Sequence, residues 1–112
     1  MPAPVVPKVL LDASVPQWLR KELSGSLVQS AFFAGLDQLS DSSLLRAIEG
    51  RFDVLITLDG NLSYQQRIGG RLVAVIVLRV TTQTPEAFRS LVPALQKAIE
   101  NVKSGEVIIV GA

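Results

Sequence analysis

Leu72-Val73-Ala74-Val75-Ile76-Val77-Leu78 is the longest unbroken apolar run in the chain. Seven residues fall far short of the roughly 20 needed to span a membrane as a helix. The run is rich in β-branched residues, so it reads as a strand. A strand alternates its side chains between two faces, and here both faces are apolar. Both must therefore be covered, as happens in parallel sheets with helices above and below. Working outward, Thr84-Pro85-Glu86 is a helix start, with a capping threonine, a proline at the first helical position and an acid near the positive dipole end. Phe88, Leu91, Val92, Leu95 and Ile99 continue it at steps of three and four. Gly105 precedes a last short strand, Val107-Ile108-Ile109-Val110. Upstream, Val54 to Leu58 reads as a strand ending in the turn Asp59-Gly60-Asn61, and Leu62 to Ile68 as a short helix.

The same alternation fills the first half. Val9-Leu10-Leu11 is a buried strand closed by Asp12, and Val15, Leu19 and Leu23 step by four as a helix face does. Leu27 to Phe33 reads as a strand and 35–40 as a polar loop. Ser40-Asp41-Ser42-Ser43 then caps a helix carrying Leu44, Leu45 and Ile48, with Gly50 after it. Strands alternating with helices predict a three-layer α/β/α fold with a mainly parallel sheet of about five strands and four helices. The expected organisation is a proline-rich leader over 1–7 and one domain over 8–112.

Composition removes whole classes of chemistry. The 112 residues are 48% hydrophobic and 19% charged, which excludes a solvating tail. Eleven Lys and Arg against ten Asp and Glu leave no overall field to recruit nucleic acid or membrane. Cysteine and histidine are both absent, so thiolate nucleophiles, disulfides, imidazole bases and histidine-bound zinc cannot occur. Hydrolytic chemistry has to run on carboxylates, hydroxyls, lysine or a hard metal ion. No signal-peptide pattern opens the chain, so the expected location is the cytoplasm.

In open parallel sheets ligands bind beyond the carboxyl ends of the strands. Asp12 closes the first strand and Asp59 the third; Asp41 opens the second helix, and Asn61 follows Asp59 by two. Taken singly, each is a turn or cap residue. Gathered at one edge, the carboxylates repel and favour a hard cation such as Mg²⁺ or Mn²⁺. Arg79 ends the fourth strand, where it can face a phosphate. Arg67 and Arg71 flank Gly69-Gly70 and could hold an RNA backbone by charge. Trp18 and Tyr64 could stack on unpaired bases, although Trp18 beside Leu19 fits helix packing better.

These segments resemble, in order, the short single-domain PIN-like proteins. Val9-Leu10-Leu11-Asp12 with Val15-Pro16 is similar to their "LLDENLP" opening. Ser40-Asp41-Ser42-Ser43-Leu44-Leu45 is similar to their "SDxxLL/I" helix start, and Val54-Leu55-Ile56-Thr57-Leu58-Asp59 to "VLVTLDxDF". Ala74-Val75-Ile76-Val77-Leu78-Arg79 resembles "GVIVLR", and Thr84-Pro85-Glu86 the start of the last helix. The resemblance implies a metal-dependent endoribonuclease related to bacterial toxins, with Asp12, Asp41 and Asp59 holding Mg²⁺ or Mn²⁺ and Asn61 as a neutral stand-in for a fourth acid. Ala13 and Ser14 also depart from the pattern, which has Glu and Asn there. The partners expected are RNA as substrate, a small antitoxin protein and a second copy as a homodimer, with no membrane. The alternative is a non-catalytic PIN-like protein that acts by binding a partner. A phosphoacceptor receiver domain would share Asp59 and a hydroxyl at Thr81 or Thr82, but it needs paired acids after strand one and a lysine after strand five. This chain offers Asp12 alone and Val110-Gly111-Ala112.

Overall fold

The computed structural model describes residues 6–61 and 68–111. Strands β1 (Lys8–Leu11), β2 (Leu27–Ser30), β3 (Val54–Thr57), β4 (Ala74–Arg79) and β5 (Val107–Gly111) form one sheet in the order β2-β1-β3-β4-β5. All four pairings are parallel. Among the described residues a 3₁₀ helix covers Gln17–Glu22, and three α-helices follow: α1 (Ala31–Ala34), α2 (Asp41–Ile48) and α3 (Pro85–Asn101). Of the short helix expected over 62–68, positions 62–67 lie outside the described residues; Ile68 is buried.

The run that decides the fold behaves as its two apolar faces require. In β4, Ala74, Ile76 and Leu78 join one buried cluster with Phe88, Leu95 and Ile99 of α3 and Leu19 of the 3₁₀ helix. Val73, Val75 and Val77 join a second cluster, on the other face, with Leu44, Leu45 and Ile48 of α2. β1 and β3 divide their side chains between the same two clusters. The result is the expected three-layer α/β/α sandwich, with the 3₁₀ helix and α3 on one face and α1 and α2 on the other. No helix among the described residues is long and apolar enough to cross a membrane.

Two elements differ from the sequence expectation. The stretch 27–33 is not one strand: the chain leaves the sheet after Ser30, whose hydroxyl accepts the Phe33 N–H and so caps α1. Gly35, at φ 75°, ends this four-residue helix in the left-handed conformation. The segment carrying Val15, Leu19 and Leu23 buries all three, but as a 3₁₀ turn rather than an α-helix. Leu19 N–H reaches back three residues to the Pro16 carbonyl, and no side chain caps the start. Trp18 packs edge-on against Phe88 of α3, with ring centroids 6.2 Å apart. The Arg89 guanidinium lies over its ring at 5.1 Å and bonds Glu22. Trp18 is therefore mortar between the 3₁₀ helix and α3.

At the far end of the sheet Gly111 pairs with Arg79 at φ 108°. A Cβ at that position would stand 2.1 Å from the Arg79 carbonyl oxygen, so glycine is required there by contact as well as by φ.

α3 carries Pro93 in its interior, on the exposed side. The ring removes the N–H bond to the Arg89 carbonyl and crowds it. Pro93→Ala should therefore raise stability by about 1–3 kcal/mol. A urea titration should show a higher midpoint at unchanged slope, and a lower midpoint would mean that the proline bend is needed for packing.

Candidate functional site

Reversal of strand order opens a crevice between β1 and β3, and the carboxyl ends of those strands carry Asp12 and Asp59. The Asp12 N–H bonds the Ile56 carbonyl at 3.0 Å, which ties the two strand ends together. Its carboxylate is heavily engaged. Oδ1 accepts the Ser14 N–H at 2.8 Å and the Ser14 hydroxyl, and Oδ2 accepts the Thr57 hydroxyl. Those hydroxyls also accept: Ser14 Oγ from Leu58 N–H at 3.1 Å, and Thr57 Oγ1 from Asp59 N–H at 3.0 Å. Asp59 closes its own turn by accepting Asn61 N–H at 2.9 Å. Thus the turn-capping roles expected for lone strand-end acids are realised at Asp12 and Asp59.

α2 delivers the third acid. Ser40 caps the helix by accepting Ser43 N–H, which places Asp41 in the first turn. Asp41 lines a small pocket of about 100 Å³ together with Asp12, Ser14 and Asp37, with Ala31, Leu36, Leu39 and Leu44 among its apolar walls. Its carboxyl is pushed above the usual aspartate range by desolvation, then by the charges of Asp59 and Asp12. Asp41 therefore senses both strand-end acids, and Asp12 shares its pocket. Asp59 is not among the pocket's lining residues.

The donor set decides which cation fits. Among the described residues no three acidic side chains stand close enough to hold one ion between them. A carboxylate offers about four lone-pair sites, and three at Asp12 are already filled by hydroxyl and amide donors. Magnesium, however, is commonly held by one or two carboxylates and keeps several waters. The residues present suit that arrangement, centred on Asp41, and not a three-carboxylate cage.

The cationic candidates separate. Arg79 is exposed at the carboxyl end of β4, as expected from the sequence, and lines a cavity of about 270 Å³ with Leu58, Val80 and Gln83. Arg71 precedes β4, at the amino edge of the sheet, and is ion-paired with Glu49 at the end of α2. That position sets it apart from the acidic edge, with its guanidinium engaged by Glu49. Arg67 and Tyr64 lie outside the described residues. Asn61 is exposed, and its contribution to the turn comes from its backbone.

Sequence reasoning missed Asp37, Ser14 and Thr57. Asp37 lay in a stretch read only as a polar loop. Thr57 carried a signal: it is the sole polar residue of β3 and is fully buried. No protein-family model, curated protein or solved structure matches the chain.

In a carbon-detected NMR titration, the Asp41 carboxyl should titrate above the ordinary aspartate value near 3.9. Asp59→Asn should lower its midpoint without returning it to that value, because desolvation, the larger cause, remains. The linked stability follows in sign. A carboxyl with a raised folded pKa favours the folded state while protonated, and its contribution is lost as pH rises from the unfolded to the folded pKa. Asp59→Asn should shrink that loss. An unmoved Asp41 midpoint would mean that the two carboxylates do not face each other.

Proposed function

We propose that the protein is a PIN-like, Mg²⁺- or Mn²⁺-dependent endoribonuclease of toxin type, acting in the cytoplasm with a small antitoxin protein as its control. The supporting observation is the convergence of Asp12, Asp41 and Asp59 at the crevice between β1 and β3, where Asp41 is electrostatically strained by both others. Accumulated negative charge that no described cation neutralises favours a divalent ion. A bound Mg²⁺ or Mn²⁺ would supply a Lewis acid for the phosphodiester and acidify a water.

Asp41, with both carboxylate oxygens free of hydrogen bonds among the described residues, is the principal ligand, assisted by Asp12 or Asp59. Ser14 and Thr57 fix the Asp12 carboxylate in one orientation, so it meets a ligand without reordering. The chain has no histidine, so proton transfer would fall to water or to a site carboxylate that does not hold the metal. Arg79, on the same sheet edge, is the residue to meet a phosphate.

The filled lone pairs of Asp12 and the lack of a three-acid group favour a second reading, a non-catalytic PIN-like protein that works through a bound partner. Calorimetric titration with Mn²⁺ separates the two. On the nuclease reading the wild type binds weakly, Asp41→Asn loses at least tenfold in affinity, and Asn61→Asp gains because ligand charge tightens hard-cation binding. Affinity should rise with pH through the Asp41 titration, since a ligand carboxyl must be deprotonated. Cleavage of a mixed RNA pool should need Mn²⁺ and fail in Asp41→Asn. Absence of metal binding in all three proteins would put the non-catalytic reading first.

Asp12→Asn is less clean as a probe. Its new amide would meet the Thr57 or Ser14 hydroxyl with a donor, so a stability loss of about 1–2 kcal/mol is expected. Thermal melting of Asp12→Asn beside Asp41→Asn checks this. Equal melting temperatures would mean that the hydroxyl contacts are worth little.

A further inference from the structure

We infer that the cavity beside Arg79 is a subsite for one unpaired nucleobase of an RNA strand whose backbone crosses the acidic crevice. The inference rests on the nuclease reading for the class of ligand and adds the place where a base is held. The cavity, of about 270 Å³, lies at the carboxyl ends of β3 and β4 and is lined by Leu58, Leu78, Arg79, Val80 and Gln83. It is smaller than the roughly 300–1,000 Å³ of pockets that enclose a drug-sized ligand, so it suits one ring system and not a whole molecule. Leu78 is buried and Leu58 and Val80 are half-buried, all three within or against the cluster on the α3 side of the sheet. Two exposed polar side chains, Arg79 and Gln83, stand beside these apolar walls. Neither has a hydrogen bond or ion pair among the described residues.

The chemistry of the walls names the occupant. A free cation beside an apolar cavity selects a ligand that joins negative charge to a flat, weakly hydrated body, and a nucleotide is such a ligand. The Arg79 guanidinium fork matches phosphate oxygens. Leu58 and Val80 take the faces of the base, and the Gln83 amide offers its edge both a donor and an acceptor. The cavity is also continuous with the acidic crevice. While the Leu58 side chain lines the cavity, its N–H donates to Ser14 Oγ at 3.1 Å, the hydroxyl that bonds Asp12, and the next residue is Asp59. The pocket of Asp12 and Asp41, walled by Ala31, Leu36 and Leu44, lies on the α2 side of the sheet, whereas Leu58 and Val80 pack on the α3 side. A strand with one phosphate at the acids therefore passes over the Leu58–Asp59 step and lays its neighbouring base on the α3 side. A duplex, with its bases stacked and paired, has none to place there.

The test is made on the full chain without metal, in EDTA, so that binding is read apart from cleavage. Dye-labelled triuridylate is compared by fluorescence anisotropy at low salt with the same ribose-phosphate strand lacking its bases. The wild type should bind the base-bearing strand at least tenfold more tightly. Arg79→Ala should weaken both strands and reduce the slope of log affinity against log salt by roughly 0.7, the loss of one phosphate contact. Gln83→Ala should weaken the base-bearing strand alone. Gln83→Glu, which only accepts, should favour triguanylate over triuridylate, because guanine N1–H and N2–H₂ donate side by side. Both positions are exposed, and thermal melting confirms that the variants fold. Equal binding of the two strands, or a base preference that neither Gln83 variant alters, overturns the proposal. So does full competition by inorganic phosphate, which would mark a simple anion site. The nuclease reading is judged separately. Mn²⁺ binding that Asp41→Asn weakens, without preference for the base-bearing strand, removes the subsite alone, whereas loss of both metal and RNA binding in the wild type removes both.

Discussion

A parallel strand cannot return to its neighbour through a hairpin, and the rest of this structure depends on that constraint. Each connection must carry the chain back across a face of the sheet, so both faces acquire helices and the inner strands lose contact with water over most of their length. β3 and the first five residues of β4 are buried on both sides for this reason. The same constraint aligns every carboxyl end along one edge. Asp12 and Asp59 are far apart in sequence yet adjacent there, because β1 and β3 are neighbours in the sheet. α2, which starts from the same edge, adds Asp41. The acidic crevice is thus a product of topology before it is a product of any local motif.

What stands at that crevice is a competition for carboxylate lone pairs. Thr57 and Ser14 each donate to Asp12 while accepting from the backbone of the third strand's end, so two hydroxyls stitch the β1 turn to the β3 turn. This network satisfies the local backbone and holds Asp12 in place. It also consumes acceptor capacity that a metal would otherwise use. Asp41 is in the opposite condition: among the described residues no donor engages its carboxylate, and the charges of Asp59 and Asp12 work against its ionisation. Whatever binds at this edge meets one carboxylate already committed to structure and another left exposed to charge repulsion.

The fold was legible because its decisive signals are local and redundant. The doubly apolar run of β4, the Thr84-Pro85-Glu86 start of α3 and the Ser40 cap of α2 each state one element without reference to the others. α1 was not legible. Phe32 and Phe33 favour extended structure by propensity, and the cap at Ser30 matters only once the strand has ended beneath it. At the site, Asp12, Asp41 and Asp59 could be placed on one edge from strand ends alone. Their spacing could not, since a difference of a few ångströms between sharing an ion and merely sensing one another arises from side-chain rotamers and tertiary contacts. Arg71 shows the same limit: the sequence sets it beside Gly69-Gly70, and only the tertiary fold brings it to Glu49.

The glycine at position 111 has a consequence for strand alignment. β5 is almost uniformly apolar, and Val107-Ile108-Ile109-Val110 would present similar side chains to β4 in more than one alignment. Sliding β5 forward by one residue would bring Val110 opposite Arg79, where a residue that took up the backbone conformation of Gly111 would drive its Cβ into the Arg79 carbonyl oxygen. The slip is also disfavoured because it turns the inner face of the strand outward. Position 111 thus acts as an end-stop: an otherwise repetitive strand is held in one frame by the only residue that has no side chain to collide.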